Sequence, residues 1–194
     1  MANKHIEMLK VFLKVLKNDK YYVSLVIPNM YQKDIYNIDY KKLKRLKKTN
    51  LIFDIDNTLL PVDDKNVDDN LKKLFKKLQK DGFNIVIVSN NGLDRVKSPA
   101  EKLNAKYLAN AKKPKKEAFE KALKILSSEA INTVMIGDQM LSDIKGAKEF
   151  GLYTILVDPL TNKHNIQTKT ARILQDIMEK KLKKRNKFIK GNYY

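Results

Sequence analysis

The chain has no cysteine among its 194 residues, which excludes disulfides, thiolate metal ligands and a cysteine nucleophile and suits a reducing interior. Long apolar runs are missing too. Lys10 and Lys14 interrupt the apolar stretch near the N-terminus, so neither a signal peptide nor a membrane span is expected. No repeat or low-complexity linker divides the sequence. The expectation is one domain of ordinary size at 21–165, an amphipathic helix before it at 1–20, and a basic helix or tail after it at 166–194. His5 and His164 lie far in sequence from the motifs described below and read as surface residues. Acidic residues are few: 22 against 40 Lys plus Arg, for a net charge of +18, a field that attracts polyanions. Lysine far outnumbers arginine and asparagine is frequent, a balance that AT-rich coding also produces without any binding role.

The acids that are present include one informative pair. In Leu51-Ile52-Phe53-Asp54-Ile55-Asp56-Asn57-Thr58-Leu59, Asp54 and Asp56 stand two positions apart where an apolar strand ends. Residues i and i+2 of an extended segment share a side, so both carboxylates meet at one spot. Such crowding favours a divalent cation or phosphate chemistry, although two acids flanking a turn would read the same way. Further short apolar runs precede Ser89-Asn90-Asn91, Asn110-Ala111-Lys112-Lys113-Pro114 and Gly137-Asp138-Gln139-Met140-Leu141-Ser142-Asp143. Helical periodicity lies between them, as in Leu71, Leu74, Phe75 and Leu78. Strands alternating with helices predict an α/β fold with a Rossmann-like, three-layer parallel sheet. Ligands then gather at the carboxyl ends of the strands.

The order of these segments resembles the haloacid dehalogenase (HAD) superfamily of phosphotransferases: Asp-x-Asp-x-Thr, then a Ser, a Lys and an acidic pair. Individually the Ser and the Lys carry little; the conjunction carries the resemblance. The chain is most similar to the YqeG-like branch, which includes mitochondrial phosphatidylglycerophosphate phosphatases. The matching stretches are Ile52–Leu59, Ile87–Asn91, Ala111–Pro114, Ile136–Gln139, Gly151–Val157 and Pro159-Leu160, with Pro28–Leu43 upstream. Two departures stand out. Pro99 interrupts the expected helix after Ser89, predicting a kink or a late start, and Ala171 replaces a polar residue expected after Thr168-Lys169-Thr170.

The resemblance implies Asp54 as nucleophile, forming an aspartyl-phosphate, and Asp56 as general acid and base. Thr58 would brace the loop and orient Asp56, or simply cap a helix. Ser89 with the amides at Asn90 and Asn91 would bind the phosphoryl oxygens. Lys113, which directly precedes proline, would offset the charge, with Lys112 as the other candidate. Mg²⁺ would be held by Asp54, the Asp56 backbone carbonyl and Asp138. Asp143 would act on the metal through water, hold Lys113, or only start a helix.

The gaps Asn57–Val88 and Asn90–Lys112 are too short for an inserted cap domain. An uncapped site accepts a phosphate carried by something large. The family points to a phosphatidylglycerophosphate headgroup, with a polynucleotide phosphatase and a non-catalytic RNA- or ribosome-binding module as rivals. Two basic clusters, Lys41–Lys48 and Lys180–Lys187, suit either polyanion. Residues 4–17 read as a helix with Lys10, Lys14 and Lys17 opposite Leu9, Phe12, Leu13 and Leu16. It would lie in a membrane interface or dock on the protein's own core; Ile173, Leu174, Ile177, Met178 and Leu182 pose the same choice. Anionic lipid would contribute roughly 1 kcal/mol per basic residue near the surface. The expected location is cytoplasmic, with attachment at the inner membrane face.

Overall fold

Short apolar strands buried on both faces set the architecture. The computed structural model describes residues 2–163 and 166–191, so His164 lies outside the described residues, as does the side chain of His5. In chain order the elements begin with α1 (Ala2–Leu16), α2 (Lys20–Val26), β1 (Met30–Gln32), α3 (Tyr40–Arg45) and β2 (Asn50–Phe53). Next come α4 (Asp69–Lys80), β3 (Asn84–Val88), α5 (Leu93–Lys102), β4 (Lys106–Leu108) and α6 (Lys116–Leu126). The last are β5 (Thr133–Gly137), α7 (Gly146–Glu149), β6 (Tyr153–Val157) and α8 (Ile166–Lys184).

The sheet runs β1-β6-β5-β2-β3-β4, and every pairing is parallel. One face packs Leu51, Phe53, Ile85, Ile87, Val134 and Ile136 against α3, α4 and α5. The alternate positions Ile52, Val86, Val88 and Met135 face α6 and α7. A third cluster on the β1–β6 side joins Tyr31 and Leu156 to α1, α2 and α8. The result is the expected three-layer α/β/α arrangement. Chain order reverses at β2, which lies between β3 and β5, and a doubly wound sheet opens its ligand crevice at such a point. Only α4 lies between β2 and β3, and only α5 between β3 and β4, so no cap domain interrupts the core.

The helix after Ser89 does not start late. α5 begins beside Gly92 and contains Pro99, which is buried together with Val96 and Ala100. A proline there removes one internal hydrogen bond, and burial of this face against the sheet holds the helix through it.

α1 resolves the choice of faces differently from its lysine stripe. Val11 and Val15 are buried, with Met8 and Phe12 packed beside them against Met178 and Leu182 of α8. Leu9 and Leu13, expected on the apolar stripe with Phe12 and Leu16, are about half exposed, at 49% and 48%, and Ile6 is 66% exposed. The helix is apolar on two adjacent faces, and periodicity alone could not choose between them.

Candidate active site

Each site residue comes from the carboxyl end of a strand or the loop beyond it. The Asp54 amide donates to the Ile136 carbonyl at 2.9 Å, which fixes the end of β2 against β5. The chain then turns tightly: the Leu59 and Leu60 amides both donate to the Ile55 carbonyl at 3.0 Å, and Asn57 takes a left-handed conformation at φ 61°. Ile55, Leu59 and Leu60 are buried, so the loop is anchored by apolar side chains while its carboxylates face the crevice.

The second and third segments are joined by backbone bonds. The Ala111 amide donates to Ser89 O at 2.9 Å, and the Asn110 amide to Asn91 O at 2.8 Å. The Asn90 side chain receives the Lys113 amide at 2.6 Å and donates to the Lys113 carbonyl at 3.0 Å. The side chain of Asn90 therefore positions the lysine loop. Ser89 is buried, and its Oγ accepts the Asn91 amide at 3.0 Å. Lys113 Nζ lies 2.6 Å from Asp54 Oδ1 and 2.8 Å from Asp143 Oδ1, while Lys112 is exposed, so Lys113 rather than Lys112 meets these carboxylates.

After β5 the chain forms a π-helical turn, Met140–Lys145, a form often found at functional sites. It brings Asp143 back over Gly137. A Cβ on Gly137 would stand 2.4 Å from Asp143 Oδ2, so only glycine lets that carboxylate reach inward. The Gln139 amide donates to Asp143 Oδ2 at 3.1 Å. Thr58 Oγ1 lies 3.4 Å from Asp138 Oδ1, facing Asp138 rather than Asp56 as expected.

Asp54, Asp138 and Asp143 are all buried, and they offer carboxylate oxygens within 4.8 Å of one another. Burial pushes the Asp54 carboxyl well above the usual carboxylate range; Lys113 opposes the rise, and Asp143 and Asp138 add to it. Burial likewise pushes Asp138 up to about 6, against the pull of Arg172. Burial works against the Lys113 ammonium as well, yet Asp143 and Asp54 hold its pKa above the usual lysine value. Three carboxylates thus face the two cations Lys113 and Arg172, leaving negative charge in excess. An all-oxygen donor set with a charge deficit fits a hard divalent cation. The Asp56 side chain stands outside this cluster: Arg95 Nε donates to its Oδ1 at 2.8 Å and Asn91 Nδ2 to its Oδ2 at 2.5 Å.

Three residues here escaped sequence reading, Arg95 on Asp56 and Arg172 and Gln175 on Asp138, and Asn91, expected to act through its amide, also turns its side chain to Asp56. Gln175 gave no signal in so polar a chain. The one signal available for Arg172 is that it is an arginine in a lysine-rich chain, which it shares with Arg95.

Comparison with known proteins identifies the family. A haloacid dehalogenase-like hydrolase family model matches residues 51–111, and a HAD-hydrolase-like model matches residues 110–179. The chain is 34% identical over 146 residues to the probable phosphatase YqeG of Bacillus subtilis, covering 75% of this chain and 85% of that protein. A shorter match, 46% over 44 residues, covers 23% of this chain and 18% of the glyceraldehyde 3-phosphate phosphatase of Pyrococcus abyssi. Among solved structures, the cobalt-bound deoxy-D-mannose-octulosonate 8-phosphate phosphatase of Haemophilus influenzae aligns with 13% identity and a TM-score of 0.47, over 73% of this chain and 92% of that one. The chain belongs to the HAD superfamily of phosphatases, in its YqeG-like branch.

Proposed function

We propose that this chain is a Mg²⁺-dependent phosphomonoesterase that acts through an aspartyl-phosphate, with phosphatidylglycerophosphate as its substrate. The observation carrying the reading is the buried group of Asp54, Lys113, Asp138 and Asp143 at the carboxyl edge of the sheet. An Asp54 oxygen attacks phosphorus, the phosphorus–ester oxygen bond breaks, and Asp56 delivers a proton to the departing alkoxide. Water then attacks the phosphoryl group, Asp56 takes its proton, and the Asp54 carboxylate is released. Lys113 and Ser89, with the amides at Asn90 and Asn91, hold the phosphoryl oxygens. Mg²⁺, held by Asp54, the Asp56 carbonyl and Asp138, would supply charge neutralisation during transfer. Asp143 keeps Lys113 in place.

The lipid reading is supported by the uncapped crevice and by similarity to the YqeG branch. The outer face of α1, where Ile6, Leu9 and Leu13 stay exposed beside Lys10 and Lys14, suits contact with an anionic bilayer at the inner membrane face. The cluster at Lys41–Lys48 lies elsewhere: Lys44 donates to Gly82 O and Lys48 to Ile131 O, beside the amino ends of β3 and β5. It therefore does not line the crevice.

The test is phosphate release from phosphatidylglycerophosphate vesicles, a small aryl phosphate and 5′- and 3′-phosphorylated oligonucleotides, with Mg²⁺ or with EDTA. Lipid turnover that needs Mg²⁺ and vanishes in Asp54→Asn is expected. Preferential turnover of oligonucleotide ends, weakening steeply with salt, would instead identify a polynucleotide phosphatase. Retention of RNA without phosphate release from any substrate would point to a binding module.

A further inference from the structure

The C-terminal helix grips Asp138 at two places. Arg172 donates through one terminal nitrogen to the Asp138 carbonyl at 2.8 Å and through the other to the Asp138 carboxylate. One turn further along α8, Gln175 donates to the same carbonyl at 3.0 Å and accepts the Met140 amide at 2.9 Å. Both side chains are buried, so the turn between β5 and the π-helical segment is clasped from outside the sheet.

Packing does not explain this arrangement. Arg172 Nε is a buried donor without a hydrogen-bond partner among the described residues. Such a donor is unfavourable, and a buried ion pair seldom outperforms apolar side chains of the same volume. What the guanidinium supplies is geometry: one planar fork fixes the backbone and the side chain of the same aspartate together. Thr58 faces the other carboxylate oxygen at 3.4 Å.

We propose that Arg172 and Gln175 are positioning residues for the divalent cation, so that α8 completes the catalytic centre rather than merely covering it. They hold Asp138 with one carboxylate oxygen taken by the guanidinium, leaving the other, beside Thr58, free of it within the carboxylate cluster of Asp54, Asp138 and Asp143. This rests on the metal-dependent reading given above.

The test measures Mn²⁺ binding to the full chain by electron paramagnetic resonance, with Mg²⁺ as competitor, and uses circular dichroism to verify folding. Partners that orient a metal ligand typically change affinity about 10–100-fold. Arg172→Met should weaken Mn²⁺ binding by that factor, and its turnover deficit should shrink at saturating Mn²⁺. Arg172→Lys, which keeps the charge but cannot fork, should recover little of the loss. Gln175→Met should fall between wild type and Arg172→Met, and it decides the matter should Arg172→Met not fold. Wild-type affinity in folded Arg172→Met or Gln175→Met overturns the inference, as does full recovery in Arg172→Lys. A wild-type chain that binds no Mn²⁺ would instead sink the metal-dependent reading itself, and this inference with it.

Discussion

Arg95 Nε lies 2.8 Å from Asp56 Oδ1, and the same guanidinium reaches two carbonyls of the following loop, Pro61 at 2.8 Å and Asp64 at 2.5 Å. One side chain from α5 thereby ties the second acid of the Asp-x-Asp pair to the segment that borders the crevice. With Asn91 on the other oxygen, Asp56 is oriented by residues from beyond β3.

Arg95→Ala frees Asp56 and the Pro61–Asp64 loop together. A misplacement of about 1 Å in a catalytic group can lower turnover on the order of 100-fold. The expected result is a fall in kcat of that order with a lowered melting temperature, since the two side chains are only 11% and 13% exposed and Asp56 would lose its counter-charge. Steady-state kinetics on the preferred phosphomonoester would reveal it; an unchanged kcat would separate Arg95 from the chemistry.

Lys113→Met removes the buried cation between Asp54 and Asp143. Breaking one side of a buried pair costs about 3–5 kcal/mol, because the remaining carboxylates lose their counter-charge. Turnover should also drop about 10²–10³-fold, the usual effect of losing a preorganised charge-stabilising group. Lys112→Met, altering an exposed neighbour, should leave both values near wild type. Denaturant melts and kinetics on the two variants give the comparison, and equal effects would undo the assignment.

The raised carboxyls of Asp54 and Asp138 set a pH dependence in the metal-free protein. Both start from an ordinary value of 3.8, so the folded state holds more protons than the unfolded chain above that pH. Their contribution to stability is greatest at low pH and declines as pH rises, for Asp138 from about pH 4 through about pH 6. In EDTA, wild type should lose melting temperature as pH rises above the ordinary carboxylate value more steeply than Asp54→Asn. Added Mg²⁺ should restore wild type most at the upper end and Asp54→Asn much less. Parallel slopes for the two proteins would contradict the burial argument.

Gly137→Ala tests the inward reach of Asp143. The new methyl would meet Asp143 Oδ2 at 2.4 Å, so the carboxylate or the π-helical turn must move. Overpacking of this kind costs about 1–3 kcal/mol, and Lys113 should lose its second partner. A lowered melting temperature together with reduced activity is expected, and unchanged values in both measurements would contradict the close approach of Asp143 to Gly137.

The amphipathic helix marked by Leu71, Phe75 and Leu78 and the strands before Ser89 and Asp138 were legible because their signal is local: a helical stripe in the first, and short, nearly continuous apolar runs in the strands, which are buried on both faces. The lysine was legible by resemblance, through its neighbour Pro114. The docked face of α1 was not, since two apolar faces compete and only contact with Met178 and Leu182 selects Val11 and Val15.

By itself the sequence determined the α/β alternation and the order of the acidic, hydroxyl and lysine segments, because strand ends carry their polar residues with them. Tertiary structure alone decided that Arg95 meets Asp56 and Arg172 meets Asp138. Arg95 is 39 residues from Asp56 and Arg172 is 34 from Asp138, and no periodicity encodes such pairings. They follow from where crossover helices land on a twisted parallel sheet, which depends on packing of the whole chain.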